Sequence, residues 1–152
     1  MEVRFIADSM LGRLAKWLRV MGYDTHYQSF YGENAIGHLV HGGRRLLSRH
    51  RPTTDQYPNS VLIRSNHIKE QLHEMRDMDS FTHERSKWFT RCLICNVPLS
   101  MAGTEAARKN VPEYVFYQNI KGIHFCPSCG RYFWPGSHRK RMIRQLEEWG
   151  FQ

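Results

Sequence analysis

The sequence predicts an α/β protein in which a mostly parallel sheet with flanking helices is followed by a small module built on four cysteines. Through the first half of the chain, short apolar runs of strand character alternate with longer runs of helical spacing. That alternation closes a parallel sheet between helices. The only four cysteines stand as two C-x2-C pairs, Cys92/Cys95 and Cys126/Cys129, with thirty residues between the pairs. Residues 79–87 are polar and lack periodicity, which places a linker there and two modules at residues 1–80 and 81–152.

The elements follow in order. Val3, Phe5 and Ala7 alternate with polar neighbours, a strand that delivers Asp8 at its carboxyl end. Ser9 is placed to cap a helix whose apolar face is Leu11, Leu14, Ala15, Leu18 and Met21, with Gly22 at its C-terminal stop. Residues 23–27 read as a second strand with Asp24 near its start, and residues 33–41 as a second helix ended by Gly42 and Gly43. Residues 45–48 form a third strand emptying into Arg49, His50 and Arg51, and residues 52–60 are loop by composition. A fourth strand at residues 61–64 precedes a helix capped by Ser65 and Asn66 that uses Ile68, Leu72, Met75 and Met78. In the second module, residues 102–110 are ambiguous, residues 114–117 read as a strand and residues 122–125 lead into the second cysteine pair. Ser137 is placed to cap a final helix over residues 138–149.

A two-residue spacer lets both thiolates of a pair reach one ion about 2.3 Å away, so two such pairs make a closed tetrahedral site. Asn96 follows the first pair, and Pro127 and Gly130 bracket the second, supplying turn residues. The alternatives are two disulfides or four buried thiols. Zinc is the reading adopted, with Cys92, Cys95, Cys126 and Cys129 as ligands. All four positions are then filled by protein, so the ion is structural and chemistry must be sought elsewhere.

The chain carries 22 Lys and Arg against 14 acidic residues, a formal charge of +8. The excess is shared evenly, with 11 basic and 7 acidic side chains in each half. A basic surface with 12% aromatics fits a polyanion such as RNA rather than a membrane. The first ten residues carry Glu2, Arg4 and Asp8 without an apolar run, so neither a signal peptide nor a membrane span is expected there, and the expected location is the cytoplasm.

Asp8 lies where open α/β sheets place ligands, and Asp24 and Glu33 are the carboxylates nearest it in the pattern. Together they are candidates for a Mg2+ or Mn2+ cage for phosphodiester hydrolysis. The plainer alternative makes Asp8 a helix cap, Asp24 a turn residue and Glu33 a first-turn acid. Arg44, Arg45, Arg49 and Arg51 put four guanidinium groups within eight residues, suited to phosphate or to a solvated loop. Ser137, His138, Arg139 and Lys140 open the last helix, where cations oppose the helix dipole and favour an external anion over a bare basic helix. These two basic groups are expected to line one RNA-binding face.

The motifs F-I-A-D-S-M-L-G-R-L-A-K-W-L-R-V-M-G-Y-D-T at residues 5–25, R-R-L-L-S-R at 44–49, R-C-L-I-C-N at 91–96 and C-P-S-C-G-R-Y-F-W-P-G-S-H at 126–138 resemble the Mut-seven C-terminal RNase domains. The resemblance covers nearly the whole chain. It implies a PIN-like α/β fold with a C-terminal zinc ribbon, cleaving RNA with divalent metal held by clustered acids. Asp8 and Asp24 match the family pattern, and Glu33 stands for the acid expected before the second helix. His50 and Asn66 occupy positions where the pattern has acids. Exchanging Asp for His removes a hard oxygen and favours transition metals over Mg2+, with His50 a candidate proton carrier. The implied function is a metal-dependent ribonuclease with a partly degenerate acidic site. The alternative is an RNA-binding protein that keeps the fold without cutting, and a protein-interaction module ranks after both.

Overall fold

β1 (Phe5–Ala7) has no solvent-exposed residue and lies between two parallel neighbours, which makes it the centre of the sheet. A computed structural model describes residues 2–78 and 81–152; the linker positions Asp79 and Ser80, at the boundary expected between residues 80 and 81, lie outside the described residues, as does Met1. The chain divides into two compact units, Met1–Asn96 and Val97–Gln152.

In the first unit α1 (Gly12–Val20) leads to β2 (Thr25–Tyr27), α2 (Ala35–His41) to β3 (Arg45–Ser48), α3 (Arg51–Gln56) to β4 (Val61–Leu62), and α4 (Ile68–Arg76) follows. The strands are all parallel, in the order β2-β1-β3-β4. Phe5 is level with Thr25 on one side and Arg45 on the other, so the carboxyl ends of β1, β2 and β3 share one edge. Parallel crossovers are right-handed, which puts α1 on one face and α2 and α3 on the other. α4 joins α1's face, where Leu14, Leu18, Leu72 and Met75 are fully buried.

α1 forms because its apolar residues recur at helical spacing, and it ends where Gly22 adopts φ +93 and a Cβ would sit 2.5 Å from the Lys87 carbonyl oxygen. Ser9 does not cap it. The N-cap residue is Leu11, and the preceding turn is tied by the Asp8 carboxylate, which accepts from Met10 N–H at 3.0 Å.

The loop expected at residues 52–60 is instead largely α3. Pro52 falls in its first turn, where a missing N–H costs nothing, and the His50 carbonyl accepts from Thr53 and Thr54 N–H at 3.1 Å. The loop-like composition was in fact a helix start.

The second unit holds an antiparallel sheet, β5 (Ser100–Met101), β6 (His124–Phe125) and β7 (Tyr132–Phe133), with α5 (Thr104–Asn110) and α6 (Glu113–Gln118) inserted between β5 and β6. Residues 114–117, expected as a strand, are helical: Val115 and Phe116 enter a core with Ala107, Val111 and Ile123, while Tyr114 and Tyr117 are exposed. Exposure three residues apart is a helix pattern; strand alternation would have buried every second residue. α7 (Ser137–Glu148) buries Met142 and Leu146, and its N-cap residue is Gly136 rather than Ser137. Among the described residues no helix is long and apolar enough to cross a membrane.

Candidate functional site

The chain order reverses at β1: β2 lies on one side of it, β3 and β4 on the other. In open α/β sheets, ligands bind at the carboxyl edge beside such a reversal, because the connecting loops diverge there and leave a crevice. Asp8 follows β1 at that edge and is 8% exposed. Its N–H donates to the Leu47 carbonyl at 3.0 Å, so the neighbouring strand fixes its backbone. Its two carboxylate oxygens are both engaged, one by Met10 N–H and the other by the Ser48 hydroxyl, which donates to it in a short hydrogen bond.

Ser48 is fully buried at the end of β3, and its oxygen accepts from His50 N–H at 3.0 Å. It was not singled out in the sequence, although its position beside Asp8 follows from strand pairing once the sheet order is known. Tyr31 closes the other side. Its hydroxyl donates to the Ala7 carbonyl at 2.7 Å and accepts from Gln28 N–H at 3.1 Å. Burial, with the charges of Tyr27 and Asp8 adding to it, pushes the Tyr31 phenol up to about 12, so it remains a donor across the physiological range.

The other expected site residues divide between the two ends of the sheet. Glu33 is exposed in the turn that leads into α2, on the loop following β2 and so at Asp8's edge. His50, exposed, is at the same edge, with its Nδ1 2.8 Å from Thr53 Oγ1. Arg49 and Arg51 lie there too, Arg49 donating to the Arg64 carbonyl at 3.4 Å. Asn66 is exposed in the loop after β4.

Asp24, by contrast, precedes β2 and lies level with the start of β1, where its carbonyl accepts from Phe5 N–H at 2.8 Å. The structure does not bring it to Asp8. It is held by Arg44 at 2.8 Å and by the Asn96 amide at 2.7 Å. Burial alone would raise its carboxyl, but these two hydrogen bonds and the charges of Arg44 and Arg91 outweigh it and hold the group below its usual value. Arg45 donates to the Asn59 carbonyl at 2.6 Å. The four arginines read as one cluster are therefore two pairs at opposite ends of β3.

The four cysteines come together as a candidate metal site. Their sulfurs all lie within 4.8 Å of one another, and none forms a disulfide. Both pairs fold alike. Cys95 N–H points to Cys92 Sγ and Cys129 N–H to Cys126 Sγ, each at 3.4 Å. Asn96 N–H donates to the Cys92 carbonyl at 2.9 Å, and Gly130 N–H to the Cys126 carbonyl at 2.8 Å. Asn96 and Gly130 both have left-handed backbones, φ +66 and +78, the conformation that turns the chain after each second cysteine. This donor set can hold a metal ion. Among the described residues no other three His, Cys, Asp or Glu side chains converge in this way.

The first cysteine pair is bonded into the α/β unit by the side chains of Arg19, Arg91 and Asn96. Arg19, 8% exposed, donates to the carbonyls of Thr25 at 2.9 Å, Leu93 at 3.0 Å and Ile94 at 3.3 Å. The Asn96 side chain accepts from Thr25 N–H at 2.9 Å while donating to Asp24. Arg91 spans the Gly22 carbonyl at 3.1 Å and the Asn96 carbonyl at 2.7 Å.

In the second unit, Ser137, His138 and Lys140 are exposed at the start of α7, and burial lowers the Arg139 guanidinium from its ordinary value. Among curated proteins none matches the chain. A family model described as the Mut7-C RNAse domain matches residues 3–146.

Proposed function

Because the chain belongs to the Mut7-C RNAse domain family, we propose that it acts on RNA as a divalent-metal-dependent ribonuclease whose acidic site is reduced to Asp8 with help from Glu33. The observation that carries this is the placement of Asp8 at the β1/β3 reversal, buried and with both oxygens fixed by Met10 N–H and the Ser48 hydroxyl. A carboxylate so oriented suits one ligand position of Mg2+ or Mn2+, and substrate phosphates can supply others. When bound, such an ion polarises a phosphoryl oxygen and acidifies a water. Ser48 holds Asp8 in place, Tyr31 anchors the loop that carries Glu33, and Arg49 and Arg51 offer guanidinium groups to the RNA backbone. The four cysteines hold structural zinc, since soft thiolates select it and leave no open position.

A second reading is an RNA-binding protein that has stopped cutting. The observation favouring it is that His50 and Asn66 leave no converging group of three acids or histidines at the carboxyl edge among the described residues. A single-turnover assay on end-labelled RNA, comparing wild type with Asp8→Asn in Mg2+ and Mn2+, separates them. Cleavage lost in Asp8→Asn supports the ribonuclease. Binding without cleavage by either protein supports the second reading.

A further inference from the structure

A cleft of about 290 Å3 opens at the same carboxyl edge, between the loop that enters α2 and the helix α3. It is walled by Tyr31, Asn34, Gly37, Thr53, Gln56 and Tyr57, and no charged residue lines it. In a chain of net charge +8, a wholly neutral lining rich in amide and hydroxyl groups is a local departure. Ligand clefts run from roughly 300 to 1,000 Å3, so this one takes a single ring system rather than a length of polymer.

The lining is joined to the proposed site on two sides. Tyr31 reaches Ala7, the residue before Asp8, and Thr53 contacts His50, whose N–H meets the Ser48 oxygen that holds Asp8. The side-chain amides of Asn34 and Gln56 are solvent-exposed and, among the described residues, make no hydrogen bond. For Asn34 this has a backbone correlate: it occupies the N-cap position of α2 with φ +67, yet its side chain makes no cap hydrogen bond. Gly37 permits the wall opposite to form, since a Cβ there would lie 3.1 Å from the Tyr57 hydroxyl.

We propose that this cleft seats one unpaired nucleobase of the RNA strand, its hydrogen-bonding edge read by the Asn34 and Gln56 amides between the Tyr31 and Tyr57 side chains. The chemistry suits that ligand. RNA sequence is read on unstacked bases, by aromatic surfaces and by groups that both donate and accept. Carboxamides do both, and a well-placed one discriminates among bases. Arg49 and Arg51 at the same edge address phosphate, so the cleft is left to address the base. The inference rests on the RNA reading above and adds base selectivity to it.

The test uses the full chain and the four nucleoside 5′-monophosphates as probes, followed by NMR of the side-chain amide resonances. One monophosphate should bind roughly tenfold or more tightly than the weakest, moving the Asn34 and Gln56 amide signals. Asn34→Gly, which keeps the left-handed backbone, combined with Gln56→Ala, should erase that preference and leave binding of inorganic phosphate unchanged. Gly37→Ala should weaken every base by crowding Tyr57, while the helix gains stability. Equal binding of the four probes, a preference that survives the double variant, or undiminished binding of every base in Gly37→Ala, overturns the cleft. Loss of RNA cleavage with the base preference intact counts against the ribonuclease alone.

Discussion

Asp24 should stabilise the fold rather than cut RNA. Asp24→Ala removes two hydrogen bonds in which at least one partner is charged, from Arg44 and from Asn96. Such bonds contribute about 1.5–3 kcal/mol each. The pair is mostly buried, with side-chain exposures of 15% for Arg44 and 23% for Asp24, and Arg44 keeps its bond to the Phe5 carbonyl at 2.9 Å. The expected loss is therefore about 3–4 kcal/mol, the lower part of the additive range. For a unit of 96 residues this lowers the melting temperature by roughly 10 °C or more. Because the folded carboxyl lies below its ordinary value of 3.8, its contribution is complete above that value and vanishes as pH falls through the folded one. Wild type and Asp24→Ala should thus differ most near neutrality and converge in strong acid, while Asp24→Asn falls between them. Thermal melts followed by circular dichroism from pH 2 to 7 measure this. Equal melting temperatures at pH 7, or a gap that does not close in acid, would refute the reasoning. So would loss of RNA cleavage in Asp24→Asn at a temperature where it stays folded.

Elemental analysis of anaerobically purified protein should find one zinc per chain, and Cys126→Ser should lose it; a native disulfide among the four cysteines contradicts the site. Asp8→Asn should slow cleavage roughly a hundredfold or more, since the ion it helps hold contributes several kcal/mol to the transition state. Ser48→Ala should weaken Mn2+ binding about tenfold or more, the usual effect of removing the group that orients a ligand, and unchanged affinity would remove that role. Restoring acids as His50→Asp with Asn66→Asp should raise Mg2+-supported cutting. RNA affinity should fall steeply with salt, and Arg51→Glu, at an exposed position, should flatten that slope without altering the melting temperature.

How far the sequence could be read depended on whether a residue's role was local. β3 ran over residues 45–48 as expected, and the cysteine pairs were legible because two-residue spacing is itself a geometry. Where neighbours decide, the sequence misled. Tyr114, Val115, Phe116 and Tyr117 have strand propensity, and only packing of Val115 and Phe116 on Ala107 and Ile123 makes them helical. Asp8 was found because it follows a strand, but Ser48 became visible only through the pairing of β1 with β3. Asp24 and Asp8 look equivalent as acids beside strands; parallel register puts them at opposite edges, which adjacency along the chain cannot reveal.

The hydrogen bonds around Asn96 decide how the chain can be cut for study. A fragment ended in the polar stretch near residue 80 would leave Thr25 N–H without its acceptor, Asp24 without its amide donor and the buried Arg19 without the Leu93 and Ile94 carbonyls. Those losses all fall on the segment that feeds β2, so the sheet would be frayed at its edge by a deletion made in what looks like a spacer. The shortest piece that keeps every one of these contacts ends at Asn96, after the first cysteine pair and thirty positions along the sequence before Cys126.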